Sequence, residues 1–142
     1  MINLDHSVDR LVEITFAARV TDYEIEEFAS RMRRRLASIA EVIFLVDFSG
    51  LQVLGSEQAQ RITAIMREDN DNVARSAFLL PRSAVSALQT ERMIRSAGNP
   101  RRRAFLAVGE LFAWLDPILN PRELARAHAF FEAEAARSEA AR

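Results

Sequence analysis

The chain has 142 residues, 49% hydrophobic and 27% charged, the size and composition of one globular domain with a real core. Its formal net charge of −1 gives no long-range attraction to nucleic acid or to an anionic membrane. The lack of cysteine excludes disulfides and thiolate chemistry, and all 19 basic residues are arginine, which excludes Schiff-base and P-loop lysines.

Residues 1–4 and 10–17 are predicted as two short strands, the second mixing β-branched residues with alternating polarity in Leu11-Val12-Glu13-Ile14-Thr15-Phe16. The polar residues 6–9 are predicted to turn between them. Thr21-Asp22-Tyr23-Glu24 reads as a capping box opening a helix, with Ile25, Phe28, Ala29, Met32 and Leu36 on one buried stripe. Residues 42–46 form a continuous apolar run, the mark of a strand covered on both faces. Gly55-Ser56 precedes a second helix with Ala59, Ile62, Ile65 and Met66 on its inner side. A strand over 73–80, closed by Pro81, leads to a third helix over 83–97, stopped by Gly98-Asn99-Pro100. A last strand is expected over 103–108 and a short helix over 110–115.

Asn120-Pro121 opens a final helix, with proline in the first turn, Glu123 near the positive end of the helix dipole, and Leu124, Ala127, Phe131 and Ala135 on one face. Its last residues, 132–142, are expected to fray. The order ββαβαβαβαα argues for an α/β fold: a single-layer mixed, mostly parallel sheet with helices packed against it, plus an extra C-terminal helix. Residues 1–142 read as one domain, with a core over 1–116 and a helical extension over 117–142. The N-terminus has acid where a signal peptide needs a basic region, and no apolar run reaches the length of a transmembrane segment, so a cytoplasmic location is expected. The arginine and alanine bias is that of a GC-rich bacterial genome.

Catalytic chemistry needs convergent reactive groups, and few are in view. His6 and His128 stand far apart, neither at metal-ligand spacing, and read as surface histidines. The glycine motifs of nucleotide-binding loops and of the nucleophile elbow are absent, and the acidic runs at 24–27 and 68–71 read as solvated helix faces. The arginine clusters at 31–35 and 101–103 lack interleaved aromatics for base stacking. The expectation is therefore no catalytic residue, no metal, no cofactor and no nucleic acid.

The stretch Val42-Ile43-Phe44-Leu45-Val46-Asp47-Phe48-Ser49-Gly50-Leu51-Gln52-Val53-Leu54-Gly55-Ser56 resembles the core of STAS domains, the anti-sigma-factor antagonist fold. That core is a buried strand ending in Asp-Leu-Ser-Gly, a short loop, then a serine opening a helix. Arg19-Val20-Thr21-Asp22, Val73-Ala74-Arg75-Ser76-Ala77-Phe78, Phe105 and Ala113-Trp114-Leu115 are similar to the SpoIIAA-like branch, also described as STAS/SEC14-like. The resemblance covers about residues 1–116, judged by element order. It implies a regulatory module acting through a protein partner. In phosphorylated members, a serine in an Asp-Ser-Ser-Gly-like motif is a kinase target. Ser56 falls there by count from Asp47, with Gly55 where the family has an acid and Glu57-Gln58 following.

On the residues alone, Ser56 is expected as the N-cap of the second helix. Asp47 is expected to end the strand and fix the next turn through local backbone hydrogen bonds, with Ser49 in the same role. The candidate interaction loop comprises Asp47, Ser49, Gly50, Leu51, Val53, Leu54 and Glu57. Its apolar members either pack under the second helix or form an exposed binding edge. The SEC14 relationship implies an alternative ligand, a lipid or small apolar molecule, in a cavity lined from Phe16, Phe28, Phe44, Phe78, Phe112 and Trp114. A phospho-switch at Ser56 is the second alternative. The apolar face of the final helix packs on the domain's own sheet or on another copy, and a homodimer is the expected outcome.

Overall fold

Local chemistry sets the elements. The computed structural model describes the backbone of residues 1–140 and the side chains of residues 1–5 and 8–132. In chain order they are β1 (Ile2–Val8), β2 (Leu11–Ala18), α1 (Asp22–Leu36), β3 (Val42–Leu51), α2 (Ser56–Glu68), β4 (Val73–Leu79), α3 (Ala84–Ala97), β5 (Arg102–Phe105), α4 (Val108–Leu115) and α5 (Pro121–Ala140). Single 3-10 turns at Asn70–Asn72 and Asp116–Ile118 join α2 to β4 and α4 to α5.

The five strands lie in the order β1-β2-β3-β4-β5, with β1 and β2 antiparallel and the others parallel. Because β2 to β5 advance one place at a time in one direction, right-handed crossovers put α1, α2 and α3 on the same face. Alternation then divides the core. Val12, Ile14, Phe16, Phe44, Val46, Phe48 and Phe78 pack under α1–α3. Leu11, Ile43, Leu45, Ala77 and Phe105 point the other way, under α4 and α5. The run at 42–46 is apolar throughout because both faces of β3 are covered.

Several boundaries differ from those expected. The first hairpin is longer, with β1 running to Val8 and the turn shrunk to Asp9-Arg10; Asp9 takes a left-handed φ of 50°, which aspartate tolerates. β5 spans Arg102–Phe105 rather than 103–108, and α4 begins at Val108. The Thr21 box forms as expected: Thr21 Oγ1 accepts from the Glu24 amide at 3.1 Å and Glu24 Oε1 accepts from the Thr21 amide at 3.0 Å. The five residues placed on the stripe of α1 are its buried residues.

Reciprocal hydrogen bonds between Asn120 and Glu123 start α5: Oδ1 of Asn120 accepts from the Glu123 amide at 2.8 Å, and Oε1 of Glu123 accepts from the Asn120 amide at 2.9 Å. The helix packs on β1 and β2 of its own sheet. Ala127, Phe130 and Phe131 are buried there, and Leu124 is half-buried. The face expected to turn to a second copy is thus covered in cis up to Phe131. The side chain of Ala135 lies outside the described residues, as do Ala141 and Arg142 of the tail expected to fray. Among the described residues no helix is long and apolar enough to cross a membrane.

Candidate functional site

β3 continues to Leu51, so Asp47, Ser49, Gly50 and Leu51 are strand residues rather than a loop. Parallel strands β2 and β4 flank this end and supply ladder partners to Asp47 (Thr15 and Leu79), which carries the strand past the apolar run. Asp47 is buried, and its Oδ1 accepts from the Ser49 amide at 2.8 Å. The expected local hydrogen bond exists, inside the strand. Gly50 sits opposite Ala17 of β2. The connection reduces to residues 52–55. Leu51 and Leu54 are buried, whereas Val53 is 56% exposed, so the apolar residues of this stretch divide between the two expected roles.

The carboxamide of Gln89 on α3 fixes the connection. It accepts from the Leu54 amide and donates to the Leu54 carbonyl, both at 2.8 Å. A paired backbone clamp of this kind leaves little freedom to Val53 beside it. Val85 and Leu88, one turn before and next to Gln89 on α3, are 65% and 49% exposed. They lie off the stripe of Ser86, Thr90, Met93, Ile94 and Ala97 that α3 buries. Val53, Val85 and Leu88 thus stand exposed at the carboxyl end of the sheet, on the two segments that the Gln89–Leu54 bonds tie together.

Ser56 does not cap α2. It is the first helical residue, and Gly55 is the N-cap. No side chain caps the first amides of α2, and Gln58 binds the N-cap residue instead: its Oε1 accepts from the Gly55 amide at 3.2 Å, and its Nε2 donates to the Val20 carbonyl at 2.9 Å and to Asp22 Oδ1 at 3.0 Å. Ser56 is left exposed, with its hydroxyl unengaged among the described residues. Glu57, also exposed, is turned about 100° from it around the helix axis.

A second region lies inside. Phe16, Phe28, Phe44, Phe48 and Phe78, with Ile and Met side chains of α1 and α2, enclose a cavity of about 30 Å³ whose polar end is Asp69, Ser76 and Arg102. That is room for about one water molecule. Phe112 and Trp114, expected in the same lining, lie on the opposite face of the sheet. Burial pushes the half-buried Asp69 carboxyl up to about 6, against the attraction of Arg102. Burial also lowers Arg102 to about 10, with Asp69 opposing.

Asp69 was expected on a solvated face, and its burial gives it a stability consequence. The raised value means that its contribution is full below about pH 4 and is lost as pH rises through about 6. Asp69→Asn is therefore expected to stabilise the fold at pH 7 by about 1 kcal/mol, once solvent screening is allowed for. Urea midpoints of both proteins at pH 4 and pH 7 check this; an equal difference at the two values rules it out.

The arginine clusters have mixed fates. Arg102 is buried and structural, whereas Arg101 and Arg103 are exposed. Arg33 pairs with Glu68 at 3.2 Å on the surface. His128 is half-exposed, stacked on Phe112 with ring centroids 3.8 Å apart, with Nε2 3.5 Å from Asp116. The side chain of His6 lies outside the described residues. Among the described residues no group of three histidine, aspartate or glutamate side chains converges as a metal site. Gln89, Val85 and Leu88 carry no motif in the sequence, and Arg102 stands there only as one of the 101–103 arginine cluster. The signal was present for two of them, since Val85 and Leu88 are apolar positions off the buried stripe of their helix.

No protein-family model matches the chain, and no curated protein does. Solved structures do. An uncharacterized protein of the DUF3478 family from Shewanella loihica PV-4, with a SpoIIAA-like fold, superposes with a TM-score of 0.60 at 16% identity, covering 81% of this chain and 92% of that one. The anti-sigma factor antagonist SpoIIAA in its unphosphorylated form gives 0.55 at 13% identity, over 84% of this chain and 100% of that one. The Bacillus cell fate determinant SpoIIAA in its phosphorylated form gives 0.53 at 12%, over 81% and 99%. With its antiparallel first pair, its parallel remainder and the helices covering both faces, this chain is a domain of SpoIIAA-like fold.

Proposed function

We propose that the chain is a non-enzymatic regulatory module that docks a protein partner through the carboxyl end of its sheet, where β3 runs into α2 beside the start of α3. The observation that carries this reading is the exposed trio Val53, Val85 and Leu88, held on backbone that Gln89 clamps. Exposed apolar side chains on a pre-ordered surface lose little entropy on binding and gain desolvation. The kinship of fold with an anti-sigma factor antagonist supports it. Expression of the chain with a photo-crosslinking residue at position 53, and at position 34 on α1 as control, tests it. A partner captured at 53 and lost when Val85→Arg/Leu88→Glu is added, with the melting temperature kept, is the expected result. Capture at 34 alone rejects the site.

The exposed, unengaged hydroxyl of Ser56 favours a second reading, a phospho-switch on the same surface. A phosphate there would meet the free amides at the start of α2. Because Ser56 does not cap the helix, Ser56→Ala is expected to change stability by less than about 0.5 kcal/mol. The switch requires Ser56→Asp, and not Ser56→Ala, to change partner affinity; equal affinities for both variants eliminate it. A lipid or apolar ligand under α1 and α2 needs the interior space of about 30 Å³ to open further.

A further inference from the structure

Beside the apolar end surface, α2 and α3 bound an open groove of about 540 Å³. Helical periodicity explains its charge. Ser56, Gln60, Thr63 and Arg67 fall on the side of α2 that faces α3, while Glu57, Arg61 and Glu68 fall about 100–140° away. On that far side the charges are already matched: Arg61 binds Glu26 of α1 at 2.7 Å, and Glu68 binds Arg33 at 3.2 Å. From α3, Arg92 and Ser96 complete the groove. No carboxylate lines it among the described residues.

The two arginines differ. Arg67 is spent on the fold, donating to the Ser96 carbonyl at 2.7 and 3.1 Å, which ties the end of α2 to the end of α3. Its charge remains on the groove wall. Arg92 is exposed and makes no hydrogen bond or ion pair among the described residues. A chain of net charge −1 thus keeps a groove of cationic sign, continuous at Leu54 and Ser56 with the apolar docking end. Charge complementarity then selects the occupant.

We propose that this groove takes an acidic segment of the protein partner, whose apolar head rests on Val53, Val85 and Leu88 and whose carboxylates meet Arg92 and Arg67. The inference rests on the docking reading above and adds the chemistry of the partner to it.

The test uses the full chain and a labelled synthetic peptide of glutamate, leucine and alanine, with a lysine-for-glutamate peptide and a single-stranded oligonucleotide as comparisons. The glutamate peptide is expected to bind, to weaken as ionic strength rises, and to shift the amide resonances of Ser56, Gln60, Arg92 and Ser96. Arg92→Glu is expected to weaken it at least about fivefold with the melting temperature unchanged, since Arg92 supports no fold contact. Equal binding of the lysine peptide, displacement by the oligonucleotide at matched concentration, or shifts confined to another face overturns the proposal. A partner that crosslinks at position 53 yet binds Arg92→Glu as tightly as wild type removes the acidic segment and leaves the docking site standing. Loss of crosslinking at 53 removes the docking site itself.

Discussion

Arg102→Met is expected to lower stability by about 3 kcal/mol, read as a fall in the urea midpoint at unchanged slope. Methionine keeps the apolar stem of the side chain, so the loss isolates the guanidinium. That group is buried and donates to the Met66 carbonyl at 2.7 Å, to Asn70 Oδ1 at 3.1 Å and to Ser76 Oγ at 3.4 Å. It closes the end of α2, the turn after it and β4 around the polar end of the cavity. Without it Asn70 Oδ1 and Ser76 Oγ lose their donor and the Met66 carbonyl keeps only the Asp69 amide at 3.2 Å, and a buried polar group left unmet costs about 1–3 kcal/mol. Arg103→Met is the internal control. Arg103 is exposed and lies over Phe105 and Trp114 at 5.8 and 5.9 Å, a contact of about 0.5–1 kcal/mol. Equal losses from the two variants would show that burial of Arg102 carries no special weight. The Arg102→Met/Asp69→Asn double variant is expected to recover part of the loss, because Asp69 then has no charge to keep beside an absent cation.

The parts of the fold that local chemistry dictates were legible from the residues. The stripe of α1, its Thr21 box, the buried run of β3 and the Pro121 start of α5 depend on neighbours within a few positions. What long-range pairing decides was not. β3 extends to Leu51 because Ala17 and Ala18 of β2 supply ladder partners to Gly50 and Leu51, and nothing between Asp47 and Gly50 signals those partners. Gly55 rather than Ser56 takes the N-cap position of α2, where Gln58 binds the Gly55 amide and reaches Val20 and Asp22 on the neighbouring helix entry. Serine before an apolar stripe has the local signature of a cap whether it stands at the N-cap or one place inside the helix. The site divides the same way. The stretch from Asp47 to Ser56 marked the right end of the sheet, while Gln89, which orders it, lies 35 residues from Leu54.

The largest omission was buried charge, and it carries the second large expected effect. Arg126→Ala is expected to destabilise the fold by about 3 kcal/mol, close to the lower limit for breaking a buried ion pair. Glu13 of β2 points under α5 among apolar neighbours and is 1% exposed, and Arg126 meets its two oxygens at 2.6 and 3.0 Å. Arg126 is itself partly exposed, so the loss comes from the two charged hydrogen bonds that the buried carboxylate gives up. Glu13→Leu/Arg126→Leu, which removes both charges and keeps the volume apolar, is expected to be near wild type. Arg10→Ala is the graded comparison. Glu123 then keeps amide donors from Arg10 and Asn120, so a smaller loss of about 2 kcal/mol is expected. Burial raises the Glu123 pKa, but hydrogen bonds from Arg10 and the backbone outweigh it and hold the group below the usual carboxylate range. Its stabilisation is therefore present above about pH 4.5 and is lost as pH falls through the depressed value. In acid, and earlier in Arg126→Ala, α5 is expected to leave the sheet first, exposing Ala127, Phe130 and Phe131. Hydrogen exchange of α5 amides ahead of those of β3, together with a mass in solution that rises above its value at neutral pH as the apolar face is freed, is the expected result. Simultaneous exchange of both elements at every pH would mean that the two clips add nothing beyond the common core.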